Sequence, residues 1–346
     1  FRGVSILCTI VFLVSGLCGC TAGGNREKNL PKDQKKLRVV TTIFPQYDFV
    51  RQIAGDDVSL TMLLKPGEET HSYEPTPQDI IAIQNADLFI YVGGENDEWV
   101  EDILESPEME DVKRLRLVDC VGNILAEEHV EGMKEERGHS HEDEEEESHD
   151  EEEHFLHSAE ETEEEHNEHV HTMDEHVWTS PCNAIDIVEH ITEELCSLDP
   201  EHGQTYKDNA EAYETQLKEL DTAFRYVVEN AKNHTLLFGD RFPFRYFAAE
   251  YGLDYYAAFS GCASDTEPSA ATMAFLINKV KEEHIPVVLK MELSNDNIAN
   301  AIAEACDVPV KVFYSSHNIS AKQFEAGVTY LDLMKENVET LKEALR

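Results

Sequence analysis

The chain has 346 residues, 71 of them acidic and 28 basic, for a formal net charge of -43, and 41% are hydrophobic. That length and apolar content suffice for one large or two medium domains with real cores. A chain this acidic is repelled by phosphate, which excludes charge-driven binding to nucleic acid or to an anionic membrane surface and leaves cations as the natural partner.

At the N-terminus, Val4 to Leu17 is a mostly apolar run of 14 residues behind Arg2. A bilayer needs about 20 helical residues, so residues 1–19 read as a signal peptide rather than a membrane span. Leu17-Cys18-Gly19-Cys20 then reads as a lipobox, with Cys20 lipidated after cleavage. Thr21 to Lys36 lacks apolar periodicity and reads as a flexible tether, at most about 55 Å long when fully extended. These features predict an extracytoplasmic protein, lipid-anchored to the outer face of a bacterial cell membrane. Cys120, Cys182, Cys196, Cys262 and Cys306 remain beyond the anchor, an odd set without CxxC spacing, so neither a zinc knuckle nor a complete disulfide framework is indicated. One bridge stays open, with its pairing unassigned.

From residue 37 onward, short β-branched or aromatic runs alternate with amphipathic stretches, the pattern of βα units around a parallel sheet. Strands are predicted at Leu37 to Thr42, Leu60 to Leu64, Asp87 to Val92 and Leu115 to Val118, with helices near Tyr47 to Ile53, Thr76 to Ala86 and Trp99 to Leu104. They form an N-terminal α/β lobe over residues 37–198, interrupted by a loop at about 127–172. A second series follows over 233–346: strands at Thr235 to Phe238, Tyr255 to Phe259, Pro286 to Met291 and Val308 to Phe313, with helices near Phe244 to Glu250, Ser269 to Glu283 and Asn295 to Ala305, and a closing helical stretch from Ala321 to Leu345. Between the lobes, residues 199–232 carry Tyr206, Ala210, Tyr213, Leu217, Leu220, Phe224 and Val227 at spacings of four and three. This predicts one long linking helix opened by Asp199-Pro200. The fold class is therefore α/β, two similar lobes each built on a parallel sheet and joined by a backbone helix.

The interrupting loop is chemically singular. His139 to His171 holds sixteen Asp or Glu, no Lys or Arg, and eight histidines: His139, His141, His149, His154, His157, His166, His169 and His171. Such a charge run predicts a solvated, disordered segment. Neutral imidazoles amid carboxylates can still chelate Zn²⁺ weakly and exchange it quickly, an auxiliary low-affinity capture device.

In open α/β sheets ligands bind at loops beyond the carboxyl ends of strands. His71, His176 and His317 sit in such contexts, as do the acidic residues Asp240 and Glu292. Neutral imidazoles with one carboxylate suit four-coordinate Zn²⁺. The plainer alternative makes His71 and His317 loop polar residues and His176 a core imidazole beside Trp178. Catalysis finds less support, since HExxH, GxSxG and a phosphate-cradling Gly-rich loop are all missing from the sequence.

The lipobox at Cys20, His71-Ser72-Tyr73-Glu74-Pro75-Thr76-Pro77, the long acidic His-rich insertion, the Asp174 to Pro181 segment DEHVWTSP, Thr266-Glu267-Pro268-Ser269 and the tail from Tyr330 to Leu341 occur in one order. In this the chain resembles the ZnuA/TroA-type zinc or manganese solute-binding lipoproteins of ABC importers, adhesin-like proteins of cluster A-I, over essentially all its mature length. The resemblance implies metal in the cleft between two lobes, with His71 and His176 on the first two ligand positions. It also implies delivery of captured Zn²⁺, with Mn²⁺ the less favoured metal, by a monomer to an ABC permease and its ATPase. At the third position the pattern departs: Arg241 stands where the family usually has a histidine, and an arginine cannot ligate Zn²⁺. The expectation is that His317 substitutes and that Glu292, or else Asp240, supplies the carboxylate. Other readings are a manganese importer component, a surface adhesin and a zinc-dependent hydrolase, the last needing a general base beside an open coordination position.

Overall fold

A computed structural model describes residues 36–68, 73–133, 173–261, 263 and 267–346. The signal segment, Cys20, the tether, His71, the His139 to His171 tract and Cys262 lie outside the described residues.

The first lobe runs β1 (Leu37–Thr41), α1 (Phe44–Ala54), β2 (Val58–Met62), α2 (Pro77–Gln84), β3 (Leu88–Tyr91), α3 (Glu98–Leu104) and β4 (Lys113–Arg116). Its strands pair in parallel in the order β2-β1-β3-β4. All four residues of β3 are buried, as expected of an inner strand covered on both faces. The second lobe repeats the scheme with β5 (Thr235–Phe242), α6 (Arg245–Tyr251), β6 (Asp254–Ser260), α7 (Ala270–Glu282), β7 (Val288–Lys290), α8 (Asn297–Cys306) and β8 (Val310–Val312). These strands are again parallel, in the order β6-β5-β7-β8. The predicted strands therefore fall on the observed ones within a few residues at each end. In each sheet the chain reverses its direction of travel between the first strand and the third, and the loops past their carboxyl ends flank that switch point.

Between the lobes stand two helices, not one: α4 (Pro181–Leu198) and α5 (Gly203–Glu229). Sequence reasoning missed α4, although Ser180 caps it, accepting from the Asn183 N–H, and Pro181 fills its first turn. The expected apolar stripe of α5 is buried along its whole length, and 27 residues make a rod of about 40 Å. Its start lies later than Asp199-Pro200. The Asp199 carboxylate instead accepts from His202 Nδ1 (2.7 Å) and from the Tyr206 hydroxyl (2.8 Å), bracing the first turn from outside it. The closing stretch is likewise divided, into α9 (Ala321–Glu325) and α10 (Tyr330–Ala344), because Gly327 takes a φ of 72° that ends the first helix and Thr329 caps the second.

Helix α5 packs against α4, against α1 of the first lobe and against α10 at the end of the chain. One apolar core consequently runs through both lobes, from Val39 and Leu88 to Phe238 and Leu289. At its centre Asp48 of α1, fully buried, accepts from the Tyr330 N–H (2.7 Å), from Arg51 and from Gln52, while Arg51 also donates to the Val328 carbonyl (2.9 Å). Removing one side of such a buried charged network costs about 3 kcal/mol or more. Asp48→Ala is therefore expected to lower unfolding free energy by about 3 kcal/mol, read as a lower urea midpoint at unchanged slope; a midpoint equal to the parent's would show that α1 and α10 are held together by apolar packing alone.

Candidate metal centre

The segment before α4 is fixed residue by residue. Met173 bridges to Ala126, the Asp174 N–H donates to the Leu125 carbonyl (2.9 Å), and the Tyr246 hydroxyl donates to the Asp174 carbonyl (2.9 Å). Asp174 Oδ1 then accepts from both the backbone N–H of His176 (2.9 Å) and its ring Nδ1 (3.0 Å). An ionised carboxylate only accepts, so Nδ1 carries a proton, and in the neutral ring Nε2 is the nitrogen with the free lone pair. That Nε2 is fully buried and has no hydrogen-bond partner among the described residues. Buried polar atoms are rarely left so, and one that is asks for a ligand.

The second imidazole arrives from the loop after β8. Ser316 takes a left-handed φ of 61°, and the Glu292 carboxylate accepts from the Ser315 N–H (2.7 Å) and hydroxyl (2.8 Å). These contacts turn the chain so that His317 meets the first lobe. Its carbonyl accepts from the Phe44 N–H (3.3 Å), and its ring lies edge-on to Trp178 (4.8 Å) and to His176 (5.1 Å, 87° between planes). Trp178 is itself pinned, donating from Nε1 to the Ser315 carbonyl (2.8 Å) while its own carbonyl accepts from the Tyr330 hydroxyl (2.7 Å). Asn318 donates from Nδ2 to the carbonyls of Lys65 (2.8 Å) and Glu68 (2.9 Å), three residues ahead of His71.

Ligand atoms of His176, His317 and Glu175 lie within 4.8 Å of one another, and all three residues are buried. Tetrahedral Zn²⁺ with bonds of about 2.0–2.1 Å holds its ligands about 3.4 Å apart, so a small inward movement closes the group. Burial works to lower the His176 pKa, but the charge and hydrogen bond of Asp174 and the charge of Glu175 outweigh it and leave it raised.

The two carboxylates expected at the metal accept hydrogen bonds from the turns around them. Both oxygens of Glu292 face Ser315. Asp240, on β5, accepts from the N–H groups of Arg241 (2.9 Å) and Met291 (2.9 Å) and from the Ser294 hydroxyl, lacing the strand to the turn after β7. Neither belongs to the group formed by His176 and His317 among the described residues. Arg241 is buried in the same strand. Asp174 and Glu175, which the structure puts at the centre, were visible only as the flank of His176.

Fold and site together define a two-lobed α/β protein whose strand-end loops meet around a buried pair of imidazoles. The sequence pattern of the family described as zinc-uptake complex component A, periplasmic (ZnuA), matches residues 39–344, and the chain belongs to that family. It is 35% identical over 312 residues to the zinc-binding protein AdcA of Streptococcus pyogenes, covering 89% of this chain and 56% of AdcA, so the chain spans little more than half of that relative. It is 31% identical over 343 residues to the high-affinity zinc uptake system protein ZnuA of Bacillus subtilis, covering 96% of this chain and 94% of that one. The crystal structure of the Zn(II)-bound ZnuA-like domain of Streptococcus pneumoniae AdcA superposes with a TM-score of 0.67 at 29% identity, covering 90% of this chain and 99% of the domain.

Burial pushes the Glu292 carboxyl up to about 7, against the pull of Ser315. A carboxyl whose folded pKa exceeds the unfolded value of about 4.3 stabilises the fold below that pH and loses the contribution as pH rises through the folded value. Glu292→Gln in metal-free protein is accordingly expected to gain melting temperature over the parent at pH 8 and to match it near pH 4; a loss at pH 8 would mean that the charged form is the one Ser315 requires.

Proposed function

We propose that this chain captures Zn²⁺ outside the cytoplasm and passes it to an ABC permease and its ATPase for uptake. The buried Nε2 of His176, without a hydrogen-bond partner among the described residues and in a ring set at 87° to that of His317, is the observation that carries the reading. Two imidazoles joined by His71 and one carboxylate give a nitrogen-rich set that favours Zn²⁺ over Mn²⁺. Four protein ligands leave no open position for an activated water, which makes the site one of capture rather than hydrolysis. Cys20 attaches the protein to the outer face of the membrane, and the eight histidines between residues 139 and 171 gather metal loosely before transfer. The core shared by α1, α5 and α10 favours release through the strand-end loops over a wide opening of the lobes.

Losing a ligand should cost at least as much as losing a residue that orients one, for which 10- to 100-fold is usual. In competition titrations against a chromophoric chelator, His176→Ala and His317→Ala should each weaken the tight Zn²⁺ site by more than about 100-fold. Deletion of residues 139–171 should leave that tight site intact while reducing the number of weakly bound ions. Tight binding that vanished with the deletion and survived both substitutions would place the site in the acidic tract and overturn the proposal.

A further inference from the structure

The geometry points to Glu175 as the carboxylate ligand of this site, seated for that task by Gly94 and Asn96 of the loop after β3. The inference rests on reading the His176–His317 pair as a metal centre and adds the residue that completes it from the first lobe.

Glu175 is 1% exposed, adjacent in sequence to His176, and is the carboxylate grouped with both imidazoles. Its seat is built. The Asn96 backbone N–H donates to Oε2 (3.2 Å) and the Asn96 side-chain amide donates to Oε1. Each carboxylate oxygen has two acceptor positions, so these bonds fix the orientation of the group and leave a lone pair for an ion. Ligating carboxylates are commonly held by such outer hydrogen bonds. Gly94 supplies the floor: a Cβ placed there would fall 2.0 Å from Glu175 Oε2 and 2.4 Å from its Cβ, so any side chain would drive the carboxylate out. The loop bearing Gly94 and Asn96 is tied in turn by Asp97, which is buried and accepts from the N–H groups of Val92 (2.7 Å) and Gly93 (3.1 Å). Glu292 and Asp240 lack this relation to the imidazoles; their oxygens brace the loops that present them.

The test uses the full chain, with Zn²⁺ affinity measured by chelator competition and the ligand field read from the visible spectrum of the Co²⁺-loaded protein. Glu175→Gln should weaken Zn²⁺ binding by about 10- to 100-fold or more and change the Co²⁺ spectrum. Gly94→Ala, which leaves every ligand in the chain but displaces the carboxylate, should do the same, and Asn96→Ala should give a smaller loss. Glu292→Gln, which loosens the loop that presents His317 without touching the ion, should keep the parental Co²⁺ spectrum and lose less affinity than Glu175→Gln. Parental affinity and spectrum in Glu175→Gln, alongside loss of binding in His176→Ala, would overturn the assignment of Glu175 and leave the metal centre standing. Parental affinity in both variants would remove the metal centre itself. A loss confined to Glu292→Gln would move the carboxylate to the second lobe. Should Glu175→Gln fail to fold, Glu175→Asp, which keeps the charge and withdraws the oxygens by one methylene, takes its place with the same expected loss.

Discussion

The hydrogen bond from His176 Nδ1 to Asp174 is the interaction on which the rest depends. It selects the tautomer of the neutral ring, aims the ring, and leaves Nε2 buried in a ring whose centroid lies 5.1 Å from that of His317. Without it the imidazole could turn its protonated nitrogen inward and the pocket would be a packed aromatic cluster with Trp178. Several contacts serve that one bond: Tyr246 holds the Asp174 carbonyl, Ala126 pairs with Met173, and Ser180 starts α4 at a fixed distance behind the ring. A buried bond so supported is preorganised, which reduces the ordering that an arriving ion must pay for.

Long-range geometry then decides what the oriented ring can meet. Helices α1, α5 and α10 share one core with both sheets, and Asp48 ties α1 to the first residue of α10. The loop carrying His317 bonds to Phe44, Lys65, Glu68 and Trp178, all outside its own lobe. Ligands from distant parts of the chain are thus brought to one place by contacts that tolerate little lobe movement. Flexibility sufficient for loading and release has to reside in the connecting loops, where few apolar contacts are lost on opening.

Much of the fold was legible because its signals are local. β-Branched and aromatic runs marked most strands, though β4 (Lys113–Arg116) contains neither and ends just ahead of the apolar run at Leu117 and Val118. The spacing from Tyr206 to Val227 marked α5, since parallel sheets and buried helix faces both leave apolar periodicities. Helix α4 was less legible: Ile187, Val188, Ile191 and Leu195 carry a helical spacing, but its β-branched residues also suit a strand. The break at Gly327 depends on a positive φ that a lone glycine does not announce. The site was less legible still. His176 and His317 could be chosen from sixteen histidines by context and resemblance, but among 71 acidic residues nothing local separates a buried carboxylate beside a metal from one bracing a loop. Glu292 follows the end of β7 as expected, whereas Asp240 lies inside β5, which runs on to Phe242, and only the packing of Ser315, Met291 and Ser294 shows which groups their oxygens accept from. Glu175 differs from them by its neighbours Gly94 and Asn96, some eighty residues away in sequence.

A metal centre of this kind requires that Nε2 of His176 and a ring nitrogen of His317 bind the same ion. Loading the ¹⁵N-labelled protein with one equivalent of ¹¹³Cd²⁺, a spin-active stand-in for Zn²⁺, and recording metal–nitrogen scalar couplings tests it directly. Coupling from both rings to a single cadmium resonance is expected, with Nδ1 of His176 still protonated. Coupling from only one of the two rings, or to two separate resonances, would contradict it.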